Sequence, residues 1–453
     1  MKRFSALLFA VLFICTALMF AQPATCSEPT VYPDRIMLTI PGDPATSRAV
    51  SWRTVYAVTE SVGEIAILDP SPIFNEKVVT VSGTHSPWEE NSQTSMGHKV
   101  IFENLQPKTK YAYRVGDGKN WSEWFQFETS SSGAEPFSFI YLGDVQNDIK
   151  SLGSRTLRQA YSHFPNSDFM MFAGDIVSTS SEAYWREFFY AGGWMFGMMP
   201  SIVTPGNHEF DKAENGLRTF SKHWNQIYQM PVNSPSKKYS NRNYYIDYQG
   251  VRFISLDSPS LGNYPEDSTL VLNWLEKTLA ENLNRWTIFF THYPIYSCSQ
   301  GRNNEEYRNA VQPLLEKYNV DLVLAGHDHT YCRGFNTENV IVEGKNATLY
   351  VVSVAGPKMY GLNTSFWSDR MGSMTQLYQN ISINQDKLEY QSFTVAGDLY
   401  DHFVISKNKK GINSFKESAE VAKINQRTEI PEGAVKNYNE EELQKYRSKF
   451  QKK

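Results

Sequence analysis

Residues 201–209 read Ser201-Ile-Val-Thr-Pro-Gly206-Asn207-His208-Glu209, an apolar and β-branched run that stops at a glycine and continues into polar side chains. A short run of this kind, apolar on both faces, is typical of a strand buried in a sheet between layers of helices. The polar residues stand where the strand would end. The stretch therefore predicts a buried strand whose carboxyl end carries chemistry.

Four other stretches share this design, each an apolar run that ends in a carboxylate, an amide or an imidazole. Segments with helical periodicity separate several of them, as in Ser268 to Asn284 and Glu305 to Lys317. Open α/β sheets carry their sites at the carboxyl ends of strands, so we expect five strand ends to converge on one site. The four stretches are Phe137 to Asp144, Asp168 to Asp175, Trp286 to His292, and Asp321 to His329.

The length of 453 residues predicts two to three domains. From about Tyr32 to Thr129, short strand-like runs alternate with turns, which predicts a β-sandwich. Within it, the stretch from Leu105 to Gly116 resembles the penultimate turn and strand of a fibronectin type III module. We expect a signal peptide at 1–26, the all-β sandwich at 27–132, an α/β catalytic domain at 133–407 and a polar tail at 408–453. The end of the tail, Glu440 to Lys453, is expected to be a surface helix or disordered.

The amino terminus has Lys2 and Arg3, then an apolar stretch from Phe4 to Phe20, then small residues to Ser27. This order is typical of a secretory signal. The alternative is an uncleaved membrane anchor, for which the apolar stretch is slightly short. We therefore expect a secreted or periplasmic chain with no membrane span after signal removal.

The formal net charge of −4 argues against a nucleic-acid partner, because nucleic-acid binders normally show a basic stripe. The composition leaves the oligomeric state open. Of the four cysteines, Cys15 and Cys26 lie in or near the signal. Cys298 and Cys332 follow predicted neighbouring strand ends, so they are a disulfide candidate in an oxidising compartment. The alternative is two free thiols, because a sequence does not give the Cα separation that a bridge requires.

The polar residues at the strand ends form a ligand set for two metal ions. Two ions about 3.5–4 Å apart need hard anionic ligands, a bridging oxygen and imidazoles. Each motif alone is weak, because a lone histidine in an apolar run is more often a core residue. Together, at successive strand ends, the motifs are specific for a metal site. His208 directly follows Asn207, so it lies beside the site without having to be a ligand. The set is Asp144, Asp175, Asn207, His292, His327 and His329.

This order of motifs resembles the calcineurin-like metallophosphoesterase superfamily, and the preceding fibronectin-like domain resembles the purple acid phosphatase branch. The resemblance implies a four-layer αββα domain and a dinuclear centre of Fe, Mn or Zn. It implies that Asp175 bridges the two ions. By the same resemblance Asp144 and His329 complete the first ion's ligands, and Asn207, His292 and His327 complete the second's.

The resemblance also implies the reaction. A metal-bound hydroxide would attack the phosphorus of a small phosphomonoester in line, while His208 protonates the leaving group. The alternatives on the same site are a phosphodiesterase, a nucleotidase or a phosphoprotein phosphatase. Outside enzymes, the alternative is a cell-surface binding protein with a degenerate α/β domain.

Two positions depart from purple acid phosphatases. Their second motif has a tyrosine that binds ferric iron and gives the colour, where this chain has Ser178. Their first motif is Asp-x-Gly, where this chain has Asp144-Val145-Gln146. We expect a colourless enzyme in which Gln146 replaces a missing ligand through its amide oxygen. The alternative is that Gln146 only hydrogen-bonds to a ligand.

Several further residues are candidates for substrate contact. Each basic residue alone is more typical of a solvated charge. Tyr293 and Tyr331 adjoin predicted ligands and could contact the substrate. The basic candidates are Arg186, Arg218, Lys237, Lys238 and Arg333.

Overall fold

The computed structural model of the chain describes residues 28–90, 93–212, 218–335, 347–364 and 367–450. The predicted signal peptide at 1–26 lies outside the described residues. Within the described ranges, no helix has the length and apolar character needed to cross a bilayer.

The amino-terminal region is a sandwich of two antiparallel sheets, ordered β1-β2-β6-β5 and β4-β3-β7-β8. Leu38, Trp52, Val100 and Tyr113 are buried between them. The prediction of an all-β amino-terminal fold is confirmed. The strands are β1 Asp34–Thr39, β2 Arg48–Val55, β3 Val62–Ile67, β4 Val79–Ser82, β5 Thr84–Glu90, β6 Gln93–Phe102, β7 Lys110–Gly116 and β8 Phe125–Glu128.

The remainder of the chain mixes strands and helices. The strands are β9 Phe137–Leu142, β10 Phe169–Phe172, β11 Ser201–Val203, β12 Phe210–Lys212, β13 Arg218–Phe220, β14 Tyr244–Tyr248, β15 Val251–Leu256, β16 Trp286–Thr291, β17 Leu322–Ala325, β18 Tyr331–Phe335, β19 Leu349–Val352, β20 Arg370–Gly372, β21 Leu377–Ile383, β22 Lys387–Thr394, β23 Leu399–Lys407 and β24 Asn413–Glu417. The helices are α1 Ser154–His163, α2 Glu182–Gly192, α3 Met195–Met198, α4 Lys222–Ile227, α5 Ser258–Asn263, α6 Ser268–Ala280, α7 Glu305–Lys317 and α8 Glu440–Phe450.

Two sheets of this region pack face to face. One contains β24-β23-β22-β21-β9-β10-β11 and the other β14-β15-β16-β17-β19-β18-β20. The Phe139 ring of β9 lies 5.3 Å from the Phe253 ring of β15, and the Tyr141 hydroxyl donates to the Ala325 carbonyl of β17. Helices α1 and α2 pack on the first sheet, while α6 and α7 pack on the second. The predicted αββα arrangement is confirmed.

The sandwich and the αββα region share one sheet. Thr39 of β1 pairs in parallel with Ser201 of β11, and the described part of this sheet runs unbroken through eleven strands. Nothing in the sequence pattern indicates this pairing, because the seven residues from Ser130 to Pro136 read simply as a linker. The pairing fixes the sandwich against the strand that precedes Asn207.

The segment after residue 407 is packed against the rest of the chain. Strand β24 pairs with β23, and α8 buries Tyr446 completely among residues of the second helical layer. The Tyr446 hydroxyl donates to the Thr428 carbonyl at 2.6 Å. Of the two expected alternatives for the end of the chain, the surface helix is present as α8, and the polar composition of the segment conceals its buried aromatic anchor.

Candidate metal centre

The carboxyl ends of parallel strands meet where the two sheets face each other. Strands β9, β10 and β11 are parallel in the first sheet, and β16 and β17 are parallel in the second. The residues that follow these strands lie together, as the strand pattern predicts. They include the buried Asp144, Asp175, His292 and His329, with Asn207 and His327 partly buried beside them.

These side chains form two groups that share one carboxylate. Asp144, Asp175 and His329 offer donor atoms that all lie within 4.8 Å of one another, and so do Asp175, His292 and His327. The Asn207 Oδ1 atom lies 3.2 Å from His292 Nε2 and so adjoins the second group. Asp175 is the residue common to both groups, and because a carboxylate has two oxygens it would be shared by the two ions.

Backbone carbonyls fix which ring nitrogen of each histidine faces the groups. His292 Nδ1 lies 2.9 Å from the Ala173 carbonyl, and His329 Nδ1 lies 3.0 Å from the Lys358 carbonyl. Since a carbonyl only accepts, both Nδ1 atoms carry protons and both Nε2 atoms face the carboxylates. His327 has the opposite orientation, with its Nδ1 3.1 Å from His292 Nε2.

Two buried oxygens in the first group have no hydrogen-bond partner, Asp144 Oδ2 and Gln146 Oε1. Asp144 Oδ2 lies only 3.2 Å from His329 Nε2, whose lone pair faces the Gln146 amide nitrogen at 3.1 Å. A buried carboxylate oxygen without a donor costs free energy, and a cation beside it removes that cost. The residues present therefore fit metal ions.

Gln146 lies inside the first group. Its Nε2 donates to Asp175 Oδ2 at 2.8 Å and lies 3.1 Å from His329 Nε2. Amide oxygen and nitrogen exchange places on a half-turn of the amide, which would direct Oε1 at the same atoms. The position is thus compatible with a ligand and with a hydrogen-bond donor, the two alternatives that the sequence leaves open.

Charge in the cluster is balanced by opposing effects. Burial raises the pKa of Asp144 to about 7, and the nearby Asp175 carboxylate adds to the rise. Burial is the largest single effect on Asp175 and would raise its pKa, but attraction and hydrogen bonding to His292, with attraction to His208 and His327, together hold this pKa below the usual range. Conversely, burial would lower the pKa of His292, but the two carboxylates raise it to about 9. The proton on His292 thus supplies the positive charge beside the two carboxylates that a bound cation would supply.

The other two imidazoles are neutral at pH 7. Burial lowers the pKa of His329 to about 3, and burial together with the charge of His292 lowers the pKa of His327 well below its ordinary value. Neutral imidazole is the form that binds metal.

His208 lies at the edge of the centre. Its backbone N–H donates to Asp175 Oδ1 at 2.9 Å, and its Nδ1 donates to the Ser178 carbonyl. The Nε2 atom lies 3.9 Å from Asp175 Oδ2, and 30% of the side chain is exposed against 1% for Asp175. A substrate can therefore reach the His208 ring.

The backbone around the ligands is strained. Asp175, His327 and His329 have left-handed φ angles of 46°, 72° and 48°. Such angles are costly for residues other than glycine and are found where the surrounding structure enforces them. Gly206 and Gly326 make room for the carboxylates, because a Cβ atom there would lie 2.1 Å from Asp175 Oδ1 and 2.3 Å from Asp144 Oδ1.

Two buried carboxylates that the sequence interpretation passed over hold these loops. Glu209 accepts backbone N–H groups from Asp175, Ile176, Val177 and Gly206. Asp328 accepts from Ser297 and from the backbone N–H of Cys298. The only sequence signal for either is an acid placed within a ligand motif. Both residues position ligands and do not face the centre.

The Cys298 and Cys332 sulfurs form a disulfide, with Cα atoms 6.5 Å apart. It ties the loop that Asp328 holds to β18, which follows His329.

Of the predicted substrate contacts, Arg218 donates to the Asn207 carbonyl at 3.1 Å. Lys238 pairs with Asp267 and Arg333 with Asp401, away from the centre. Arg302, absent from the sequence-based candidates, donates to the His327 carbonyl at 2.6 Å.

Known proteins match both parts of this architecture. The profile of the family described as Calcineurin-like phosphoesterase matches residues 137–331, and that of Purple acid Phosphatase, N-terminal domain, matches residues 33–129. Probable purple acid phosphatase 20 of Arabidopsis thaliana is 26% identical over 371 residues, covering 76% of this chain and 78% of that protein. Fe(3+)-Zn(2+) purple acid phosphatase 12 of Arabidopsis thaliana is 28% identical over 298 residues, covering 59% of this chain and 60% of that protein.

The solved structure described as Structure of PhoD has a TM-score of 0.61 at 13% identity, covering 95% of this chain and 99% of that chain, a likeness in fold. Fold and site together define a metal-dependent phosphoesterase, a hydrolase acting on phosphorylated substrates. The chain contains a calcineurin-like phosphoesterase domain preceded by a purple acid phosphatase N-terminal domain, and the relatives named above are purple acid phosphatases. The two donor groups agree with the expected site for two ions, and the name of purple acid phosphatase 12 gives Fe(3+) and Zn(2+) as the metals of that protein. The cell-surface binding protein is the weaker interpretation.

Proposed function

We propose that the chain hydrolyses phosphomonoesters at a centre of two ions. Asp144, Asp175 and His329, with Gln146, would hold the first ion, and Asp175, Asn207, His292 and His327 the second. The observation that carries the proposal is that two compact donor groups share the Asp175 carboxylate. When bound, the ions would neutralise phosphate charge and activate a water for in-line attack.

His208 would donate the proton that the leaving alcohol needs. The Ser178 carbonyl holds the Nδ1 proton, so the proton to be transferred is carried at Nε2, the nitrogen nearer the centre. A positioned imidazole contributes about 10²–10⁴-fold to such a step. His208 therefore takes the catalytic role in this proposal.

Arg218 and Arg302 would place positive charge on two sides of the phosphate. Each donates to the backbone carbonyl of a proposed ligand, Asn207 and His327. A guanidinium has five N–H donors, so each side chain can also meet phosphate oxygens. Two cations beside the centre favour a dianionic monoester over a monoanionic diester.

Ser178 supports the proposal of a colourless enzyme. Its hydroxyl accepts the Asn147 backbone N–H at 2.9 Å, and serine has no phenolate to offer ferric iron. We propose Fe(II), Mn or Zn as the bound pair.

A comparison of two aryl esters tests the proposed reaction. Purified protein is incubated with Mn, Fe or Zn, and release of 4-nitrophenol is measured from the 4-nitrophenyl monoester and from its bis-ester. We expect faster turnover of the monoester. Faster turnover of the diester would favour the phosphodiesterase alternative, and no turnover of either would contradict the proposal.

We also propose that the chain is exported to the periplasm or secreted. The signal-like order of residues 1–26 supports this, and a disulfide persists in oxidising compartments. In this proposal the mature chain comprises a sandwich domain at 27–132, a catalytic domain at 133–407 and a carboxyl-terminal segment at 408–453. Amino-terminal sequencing of exported protein would show a start near residue 27, and a start at Met1 would contradict export with cleavage.

A further inference from the structure

A pocket of about 680 Å³ lies beside the metal centre, at the carboxyl ends of β15 and β16. Helices α5, α6 and α7 form its walls. Its volume is within the range of about 300–1,000 Å³ that small-molecule sites occupy. The residues that define it are Ser258, Leu261, Leu272, Tyr293, Tyr307 and Ala310.

Tyr293 is a wall common to the pocket and the centre. On one side its ring centroid lies 4.4 Å from that of His327. On the other side it lies 6.5 Å from the Tyr307 ring, nearly perpendicular at 82°. The pocket therefore adjoins the centre at Tyr293.

The two tyrosines are held in place by the strand ends. The Tyr293 backbone N–H donates to Ser258 Oγ at 2.8 Å, and the Tyr307 hydroxyl lies 2.8 Å from Thr291 Oγ1. Thr291 ends β16 and directly precedes the proposed ligand His292. Pre-positioned aromatic faces favour the stacking of another ring.

The charge of the pocket is acidic. Glu305 and Glu306 are exposed at its mouth, in the first turn of α7, and none of its described lining residues is lysine or arginine. Such a mouth repels a leaving group that carries its own negative charge.

We propose that this pocket binds the leaving group of the substrate, and that the leaving group is an uncharged or cationic aromatic alcohol. The inference rests on the proposed phosphomonoesterase function and adds a substrate class to it. It places the substrate's phosphate at the ions and its ring between Tyr293, Leu272 and Ala310.

Filling the pocket tests the proposal. The kcat/KM for 1-naphthyl phosphate is divided by that for methyl phosphate, in the wild type and in Ala310→Trp. Because the same two esters are compared in each protein, their intrinsic reactivities cancel. Loss of an apolar leaving-group site is worth about 10-fold or more, so we expect the ratio to fall at least about 10-fold. The control Asn309→Trp adds the same ring at an exposed position of α7 that does not line the pocket, and should keep the ratio.

A second variant tests the charge without filling the space. In Glu305→Gln/Glu306→Gln, the ratio of kcat/KM for 4-carboxyphenyl phosphate to that for phenyl phosphate should rise about 2- to 5-fold at low salt. The rise should shrink in 0.5 M NaCl, because exposed charges are screened.

The outcomes separate the two proposals. A wild type that hydrolyses none of these esters contradicts the monoesterase function itself. The leaving-group proposal is overturned if the wild type hydrolyses these esters and Ala310→Trp leaves the naphthyl-to-methyl ratio unchanged. This result counts only if the Ala310→Trp protein melts at the wild-type temperature and is still inhibited by inorganic phosphate. If Ala310→Trp does not fold, an unchanged carboxyphenyl-to-phenyl ratio in the glutamine variant overturns it.

Discussion

Two buried clusters of charge in this chain differ in whether the protein satisfies them. Asp401 accepts the Tyr331 hydroxyl at 2.6 Å and the Arg333 Nε at 3.0 Å through one oxygen, and Arg333 Nη2 at 3.2 Å through the other. In the metal centre, Asp144 Oδ2 and Gln146 Oε1 are just as deeply buried and have no partner. The first cluster is complete as it stands, and the second has room for cations.

The backbone shows the same contrast. Arg333 and Asp401 lie within the paired strands β18 and β23 at ordinary φ angles, although a register shift in the β22–β23 pairing adjoins Asp401. In contrast, Asp175, His327 and His329 adopt left-handed φ angles, and such strained residues persist only where the structure enforces them. Burial of charge alone therefore does not mark a functional site. The metal centre is marked by buried acceptors that lack a donor, Asp144 and Gln146, next to ligands on a strained backbone.

The largest expected effect separates the two clusters directly. Asp175→Ala should fold but lose at least about 10³-fold in ester turnover, because the shared ligand of both ions is removed. Asp401→Ala should instead lower the free energy of unfolding by about 3 kcal/mol, the low end for a broken buried pair, because the buried Arg333 keeps only its more exposed partners Glu417 and Asp369. Denaturant melts, metal content and kcat/KM are measured on both. Metal loss in folded Asp401→Ala, or full activity in Asp175→Ala, would reverse the assignment.

His208 gives the next largest effect. His208→Ala should cost about 10²–10⁴-fold in kcat for alkyl phosphates, whose leaving groups need a proton, and much less for 4-nitrophenyl phosphate. Metal content should remain at the wild-type value, because His208 is not a proposed ligand. Equal losses on both classes of ester would assign His208 a structural role.

Gln146 gives a smaller and more selective effect. Gln146→Ala should weaken the binding of one of the two ions by about 10- to 100-fold, whether the amide binds the ion or orients its ligands. The matched control is Gln379→Ala, since Gln379 is equally buried and also has an unpartnered Oε1 but donates to Ser353 and Ser392. Metal titration followed by calorimetry measures both. Equal behaviour of the two variants would remove Gln146 from the centre.

The smallest predicted effect concerns a buried histidine outside the centre. His98 lies in the sandwich between Thr54 and Ser61, and burial lowers its pKa from 6.5 to about 4. Between these values the unfolded chain binds more protons than the folded chain. Stability from neutral His98 is therefore complete above pH 6.5 and is lost as the pH falls toward 4, by about 2 kcal/mol at pH 5.

Urea melts at pH 7 and pH 5 measure this component. His98→Gln should lack it, and His85→Gln should keep most of it, because repulsion from the exposed His85 contributes less than burial to the lowered pKa of His98. A wild-type pH dependence in His98→Gln would assign the acid sensitivity to other groups, above all the carboxylates of the centre.

The strand pattern predicted a buried sheet between helices and the convergence of the proposed ligands, because parallel strands end at one edge of a sheet. The family resemblance, not the pattern, implied the two facing sheets of the αββα arrangement. The pairing of Thr39 with Ser201 was not predictable, since a short contact between distant strands leaves no periodic signal. The packing of α8 was also not predictable, because polar residues surround its buried Tyr446 in the sequence.

Within the site, the sequence predicted residue types better than orientations. The sequence could not decide whether Gln146 faces the centre with its amide oxygen, as a ligand, or with its amide nitrogen, as a hydrogen-bond donor. A half-turn of the same amide exchanges the two atoms. From the sequence, Glu209 is one more polar residue at a strand end, and only the structure shows its four backbone contacts. Arg302 and the pocket behind Tyr293 depend on loop geometry, which has no local pattern.

Elemental analysis of purified protein, with Asp175→Ala alongside, tests the central claim most directly. A dinuclear centre predicts about two ions of Fe, Mn or Zn per wild-type chain, fewer than one per variant chain, and no purple absorption band. A wild-type protein that stays free of metal after incubation with all three ions, and that hydrolyses no ester, would contradict the dinuclear centre.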